Sequence, residues 1–164
     1  MGAGRGADGG RGLKFWDSSA VLALAVAEPA SPKVETILRR DPDVVYWWGT
    51  PLDCAGALAA AKRQGALSDA DFQRSQAVID HLRQRAFEVQ PTTEVRARAL
   101  RIVAVHPLRA PVALQLAAAL VWCREHTRGA AFVSLDEKLR LAAALEGFRV
   151  LPYADEVHAP HDED

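Results

Sequence analysis

Three carboxylates in this chain stand where an α/β protein does its chemistry. Asp17 directly follows the short apolar run Leu13-Lys14-Phe15-Trp16. Asp53 lies in the first turn of the helix predicted after Val44-Val45-Tyr46-Trp47, and Asp136 ends the run Ala131-Phe132-Val133-Ser134 two residues after Ser134. In open parallel sheets, ligands bind outside the carboxyl ends of the strands. Three acids at three such ends would converge on one edge. Hard oxygen ligands with no histidine or cysteine nearby suit Mg²⁺ or Mn²⁺, which take one or two carboxylates together with waters and phosphate oxygens. Each acid also has a plainer use. Asp17 and Asp136 fit helix N-caps, and an acid at position 53 favours the dipole of a helix opening at Thr50.

The elements that must position these acids can be read from periodicity and punctuation. Strands are predicted at 13–16, 44–47, 87–89, 131–134 and 148–151 from their β-branched and aromatic content. Between them the sequence predicts helices at 20–27, 31–40, from Thr50 to Gly65, from Ser68 onward, 93–105, 108–125 and 136–146, with Ser31-Pro32, Thr50-Pro51 and Ser68-Asp69 as start signals. Short apolar strands alternating with helices mean a mainly parallel sheet covered on both faces, a three-layer α/β/α sandwich. The domain is expected over residues 13–153, after a glycine-rich, disordered leader at 1–12 and before a loose acidic tail at 154–164.

Composition narrows the function classes. The 164 residues are 49% hydrophobic and 25% charged, with net charge −1, so no global field recruits nucleic acid. The balance is uneven: Arg83 to Arg128 holds eight arginines and three glutamates, and Asp155 to Asp164 holds five carboxylates and no lysine or arginine. Arg109 and Arg124, in the basic stretch, could meet RNA phosphates. Two distant cysteines, Cys54 and Cys123, suggest neither a disulfide framework nor a zinc site. No run approaches the roughly 18 apolar residues of a membrane span. A reduced, cytoplasmic protein is expected. Gly4-x-Gly6-x-x-Gly9 matches the dinucleotide fingerprint as a string but precedes the first strand, so the physical reason for that motif is absent. The Trp47-Trp48 pair reads as core and packing, with a dimer or partner surface as the alternative, and the five histidines receive no role.

Phe15-Trp16-Asp17-Ser18-Ser19-Ala20 resembles the opening of the PIN-domain family (PilT N-terminus domains), which includes the nuclease toxins called VapC of bacterial toxin–antitoxin modules. His106-Pro107-Leu108-Arg109-Ala110 through Ala113-Leu114-Gln115-Leu116-Ala117 is similar to that family's central helix. Phe132-Val133-Ser134-Leu135-Asp136-Glu137-Lys138-Leu139 and Gly147-Phe148-Arg149-Val150-Leu151-Pro152 resemble its closing strand, acid, helix and strand. The resemblance implies a metal-dependent endoribonuclease using Mg²⁺ or Mn²⁺, with RNA as substrate, an antitoxin protein as partner and a homodimer as assembly. It carries the family's first, second and last acids onto Asp17, Asp53 and Asp136, with Ser134 and Ser18 placing a phosphate or a metal-bound water. The family's third acid falls on Val112, which cannot bind a metal; Glu94, Gln115 and Glu125 could stand in for it. A domain that keeps the fold and binds RNA or protein without cleaving is the alternative implied by that vacancy.

Overall fold

The computed structural model describes residues 14–153. The expected start of the first strand at Leu13, the leader at 1–12 and the acidic tail at 154–164 lie outside the described residues. Five three-residue strands, β1 (Lys14–Trp16), β2 (Val45–Trp47), β3 (Phe87–Val89), β4 (Ala131–Val133) and β5 (Arg149–Leu151), form one sheet in the order β3-β2-β1-β4-β5. Every pairing is parallel, with Phe15 opposite Val45 and Phe132 in the registers of β1. Helices α1 (Ser18–Ala25), α2 (Ser31–Arg40), α3 (Thr50–Arg63), α4 (Asp69–Arg85), α5 (Thr93–Val105), α6 (Ala110–Trp122) and α7 (Glu137–Leu145) make the connections.

Side chains alternate across the strands, and this divides the core in two. Phe15 and Phe132 face α5, α6 and α7, with their rings stacked 5.5 Å apart. Trp16, Ala131 and Val133 face the opposite layer, where Val21, Val34, Leu58 and Ile79 of α1–α4 cover them. The central strands β1 and β4 are buried along their whole length, as strands covered on both faces must be. The three-layer α/β/α sandwich anticipated from the sequence is therefore the architecture.

Helix starts follow local chemistry. Ser68, Thr92 and Asp136 each cap the helix that follows, accepting from Asp71 N, Val95 N and Leu139 N. The helix expected over 108–125 is shorter at both ends. Pro111, which lacks an N–H, sits in the first turn of α6 and sets the start at Ala110. At the other end Arg124 and Glu125 adopt positive φ of 51° and 62°. Their amides bond back to Val121 and Leu120 O, which terminates the helix.

At the start of β1, Lys14 Nζ donates to Asp41 Oδ2 at 2.6 Å, and both side chains are 7% exposed. Asp41 also accepts from Asp43 N. Replacing Lys14 by Met keeps the apolar stem but leaves a buried carboxylate without this cation. The expected loss is about 3–5 kcal/mol in urea unfolding, whereas an exposed pair would cost less than about 1 kcal/mol.

Candidate active site at the carboxyl edge of the sheet

The strand order reverses beside β1: β2 and β3 extend to one side, β4 and β5 to the other. The crevice at such a switch point is where open parallel sheets hold ligands. Asp17 follows β1 there, and its amide donates to Val133 O of β4 at 3.0 Å. Ser134 and Asp136 follow β4 directly.

Asp17 is 2% exposed. One carboxylate oxygen accepts from Ala20 N at 3.1 Å, which caps α1, and the Ser19 hydroxyl reaches both oxygens at 2.7 and 3.0 Å. Ser19 Oγ in turn accepts from Leu135 N at 2.8 Å, which ties the turn after β1 to the turn after β4. Burial pushes the Asp17 carboxyl up from 3.8 to about 6, against the hydrogen bonds from Ser19, Ala20 and Ser134 that favour its charge. No lysine, arginine or histidine pairs with it among the described residues. It is a buried acid held by neutral donors.

Asp53 stands exposed in the first turn of α3, with partial desolvation raising its carboxyl. Its link to Asp17 runs through Gln115. Gln115 Nε2 donates to Asp53 Oδ2 at 3.3 Å and to Ser18 Oγ at 2.8 Å, while its Oε1 accepts from Ser18 N at 2.7 Å. Cys54, beside Asp53, is buried, and its thiol is pushed up to about 12, first by burial and then by the charges of Asp53 and Asp17. It is a packing thiol, unfit as a nucleophile at neutral pH.

Asp136 caps α7, with Oδ1 accepting from Leu139 N at 2.9 Å, and its amide donates to the fully buried Ser134 Oγ at 3.1 Å. Arg140 secures this turn: its guanidinium donates to Ser134 O, Leu151 O and Pro152 O at 2.5, 3.0 and 2.6 Å. Burial lowers the Arg140 pKa, and the charge of Asp17 opposes that effect.

Among the described residues, no group of three His, Cys, Asp or Glu side chains is drawn together as a metal-holding cluster. The expected convergence of three bare carboxylates is thus replaced by a chain of alternating acids and neutral groups. Asp53 and Ser18 meet at Gln115; Asp17 and Asp136 meet at Ser134. Capping, the plainer use foreseen for Asp17 and Asp136, is real, and it leaves Asp136 Oδ2 without a donor among the described residues.

Of the residues considered for the vacancy at Val112, Gln115 alone enters this network. Glu125 pairs with Arg98 at 2.9 Å, and Glu94 is exposed in the first turn of α5. Val112 itself is half-buried in the first turn of α6, packed against the aromatic layer. Arg109 and Arg124 flank α6 at its two ends, both exposed. Ser19 is the residue of this network that the sequence did not single out, and Gln115 entered only as one of three stand-ins. Gln115 had one available signal: it is the only polar side chain in α6 and is 3% exposed, and a buried amide requires partners.

The carboxylates and hydroxyls at this crevice are oxygen donors of the kind a hard divalent cation takes, though among the described residues they are not gathered into a metal-holding group. No family model and no curated protein matches the sequence. Among solved structures, the chain is similar to the protein of "Crystal structure of PAE2754 from Pyrobaculum aerophilum", at 14% identity and a TM-score of 0.59 over 84% of this chain and 82% of that one. At that identity the likeness speaks for the fold alone.

Proposed function

We propose that this protein is a Mg²⁺- or Mn²⁺-dependent endoribonuclease of PIN-domain type, the toxin of a bacterial toxin–antitoxin pair. The observation that carries the reading is Asp17: a carboxylate 2% exposed, with its carboxyl raised to about 6, at the switch point of a parallel sheet. A group kept anionic there at neutral pH asks for a cation. Asp17 and Asp136 would hold the ion, aided by Asp53 directly or through water. The bound ion would polarise the scissile phosphate and supply hydroxide at neutral pH. Ser134 and Ser18 would donate to a phosphate oxygen or to water, and Arg109, just before α6, would meet a flanking phosphate; Arg124, past the far end of α6 and before the start of β4, lies at the opposite edge of the sheet and is not part of this site. An antitoxin protein and a second copy of this chain are the partners that go with this reading.

A second reading, binding RNA or protein without hydrolysis, is favoured by one observation: residue 112 is an apolar side chain in the turn of α6 that precedes Gln115. Among the described residues no helix is long and apolar enough to cross a membrane. The two readings separate in one assay. Incubation of the full chain with single-stranded RNA should give fragments with Mn²⁺ and none with excess chelator. Retention of intact RNA on the protein, without fragments in Mn²⁺ or Mg²⁺, would support the binding domain instead.

A further inference from the structure

We propose that Gln115 is the positioning residue of this centre, holding Ser18 as a hydrogen-bond donor and Asp53 in place beside it; the proposal rests on the ribonuclease reading above. The side-chain amide can sit in only one orientation. Its oxygen takes the Ser18 N–H at 2.7 Å, an N–H at the start of α1 that has no acceptor within its own helix. Its two N–H bonds go to Ser18 Oγ at 2.8 Å and Asp53 Oδ2 at 3.3 Å. The flipped amide would set NH₂ against the Ser18 N–H and oxygen against a carboxylate, two repulsive contacts in a site where Gln115 is 3% exposed.

Two consequences follow. Ser18 Oγ already accepts from Gln115, so its own proton is free to be given to an anion such as a phosphate oxygen. Asp53, exposed and on the first turn of α3, is tethered through Oδ2, while nothing among the described residues donates to Oδ1. A flexible acid is thereby fixed with one oxygen open. Three elements, α1, α3 and α6, are locked by a single neutral side chain. Because the amide adds no charge, it also keeps the number of carboxylates at this point to one.

The test uses two variants of the full chain, Gln115→Leu and Gln115→Glu, both checked for the wild-type circular dichroism spectrum. The first readout is metal-free: hydrogen exchange at the Ser18 amide by NMR. Gln115→Leu should speed that exchange at least about tenfold, since the amide loses its acceptor, and Gln115→Glu, which keeps an acceptor, should restore protection. The second readout is Mn²⁺ binding by calorimetry. Gln115→Leu should weaken it about tenfold by releasing Asp53, and Gln115→Glu should bind more tightly than wild type by adding a carboxylate. Unchanged Ser18 exchange in Gln115→Leu, or one Mn²⁺ affinity for all three proteins, would overturn the proposal. A wild type that binds no Mn²⁺ would overturn the ribonuclease reading, and the exchange ratio at Ser18 would still decide whether Gln115 joins the elements.

Discussion

Asp17→Asn is expected to reduce Mn²⁺-dependent RNA cleavage by at least about a thousandfold while making the metal-free protein more stable at neutral pH. The loss of activity follows from removing the buried anion that the cation would neutralise. The gain in stability follows from the same burial. The folded carboxyl, raised to about 6, lies above the ordinary value of 3.8. Between those pH values the native chain binds more protons than the unfolded one, so the contribution of Asp17 to stability falls as pH rises through that window. It is most favourable below about pH 4. At 1.36 kcal/mol per unit, the difference comes to about 3 kcal/mol at pH 7. Asparagine carries no charge and caps a helix as well as aspartate, so the bond from Ala20 N survives. Urea unfolding of both proteins in chelator, from pH 4 to 8, checks this: the wild type should lose stability toward neutrality and the variant should not share that slope. Parallel curves would mean that Asp17 is solvated or paired.

Val112→Asp is expected to tighten Mn²⁺ binding by about 10–100-fold and to raise cleavage with it. Residue 112 lies three positions before Gln115, so the two share one side of α6. The new carboxylate would join Asp53 and Asp17 with two neutral groups already between them. Repulsion without metal should be modest. The first turn of α6 has no acidic residue, so an aspartate there gains about 0.3–1 kcal/mol from the helix dipole. That offsets part of the half-buried isopropyl group lost from the aromatic layer. Without metal the variant should therefore melt somewhat lower than wild type, and Mn²⁺ should raise the variant's melting temperature more. Equal Mn²⁺ affinity by calorimetry would mean that residue 112 does not face the centre.

What the sequence disclosed was set by local physics. Asp17 and Asp136 could be placed after strands because a carboxylate that caps a helix must stand at its first residue, and both do cap. Thr50-Pro51 marked the start of α3 for an equally local reason. The far end of α6 was not legible: nothing about Arg124 and Glu125 as residue types requires the left-handed backbone they adopt. The link from Gln115 to Ser18 spans 97 positions and that to Asp53 spans 62, and no spacing rule reaches so far. Ser19 is similar. Beside Asp17 it reads as one more polar residue at a helix start, yet it joins the β1 and β4 turns across 116 positions. The acids, Ser18, Ser134 and Gln115 could be named one at a time, but the role of Ser19 and the connections among them needed the fold.

Whether Asp17 anchors a divalent-cation centre can be read from Mn²⁺ calorimetry on the wild type and Asp17→Asn at pH 5.5 and 7.5, in buffers of different ionisation heat. A carboxyl raised to about 6 is largely protonated at the lower pH and must give up its proton to a metal. Mn²⁺ should bind the wild type at both pH values, with proton release at pH 5.5 that nearly vanishes at pH 7.5. Asp17→Asn should bind far more weakly and release no such proton. Identical binding by the two proteins, with no difference in proton release, would contradict that role for Asp17.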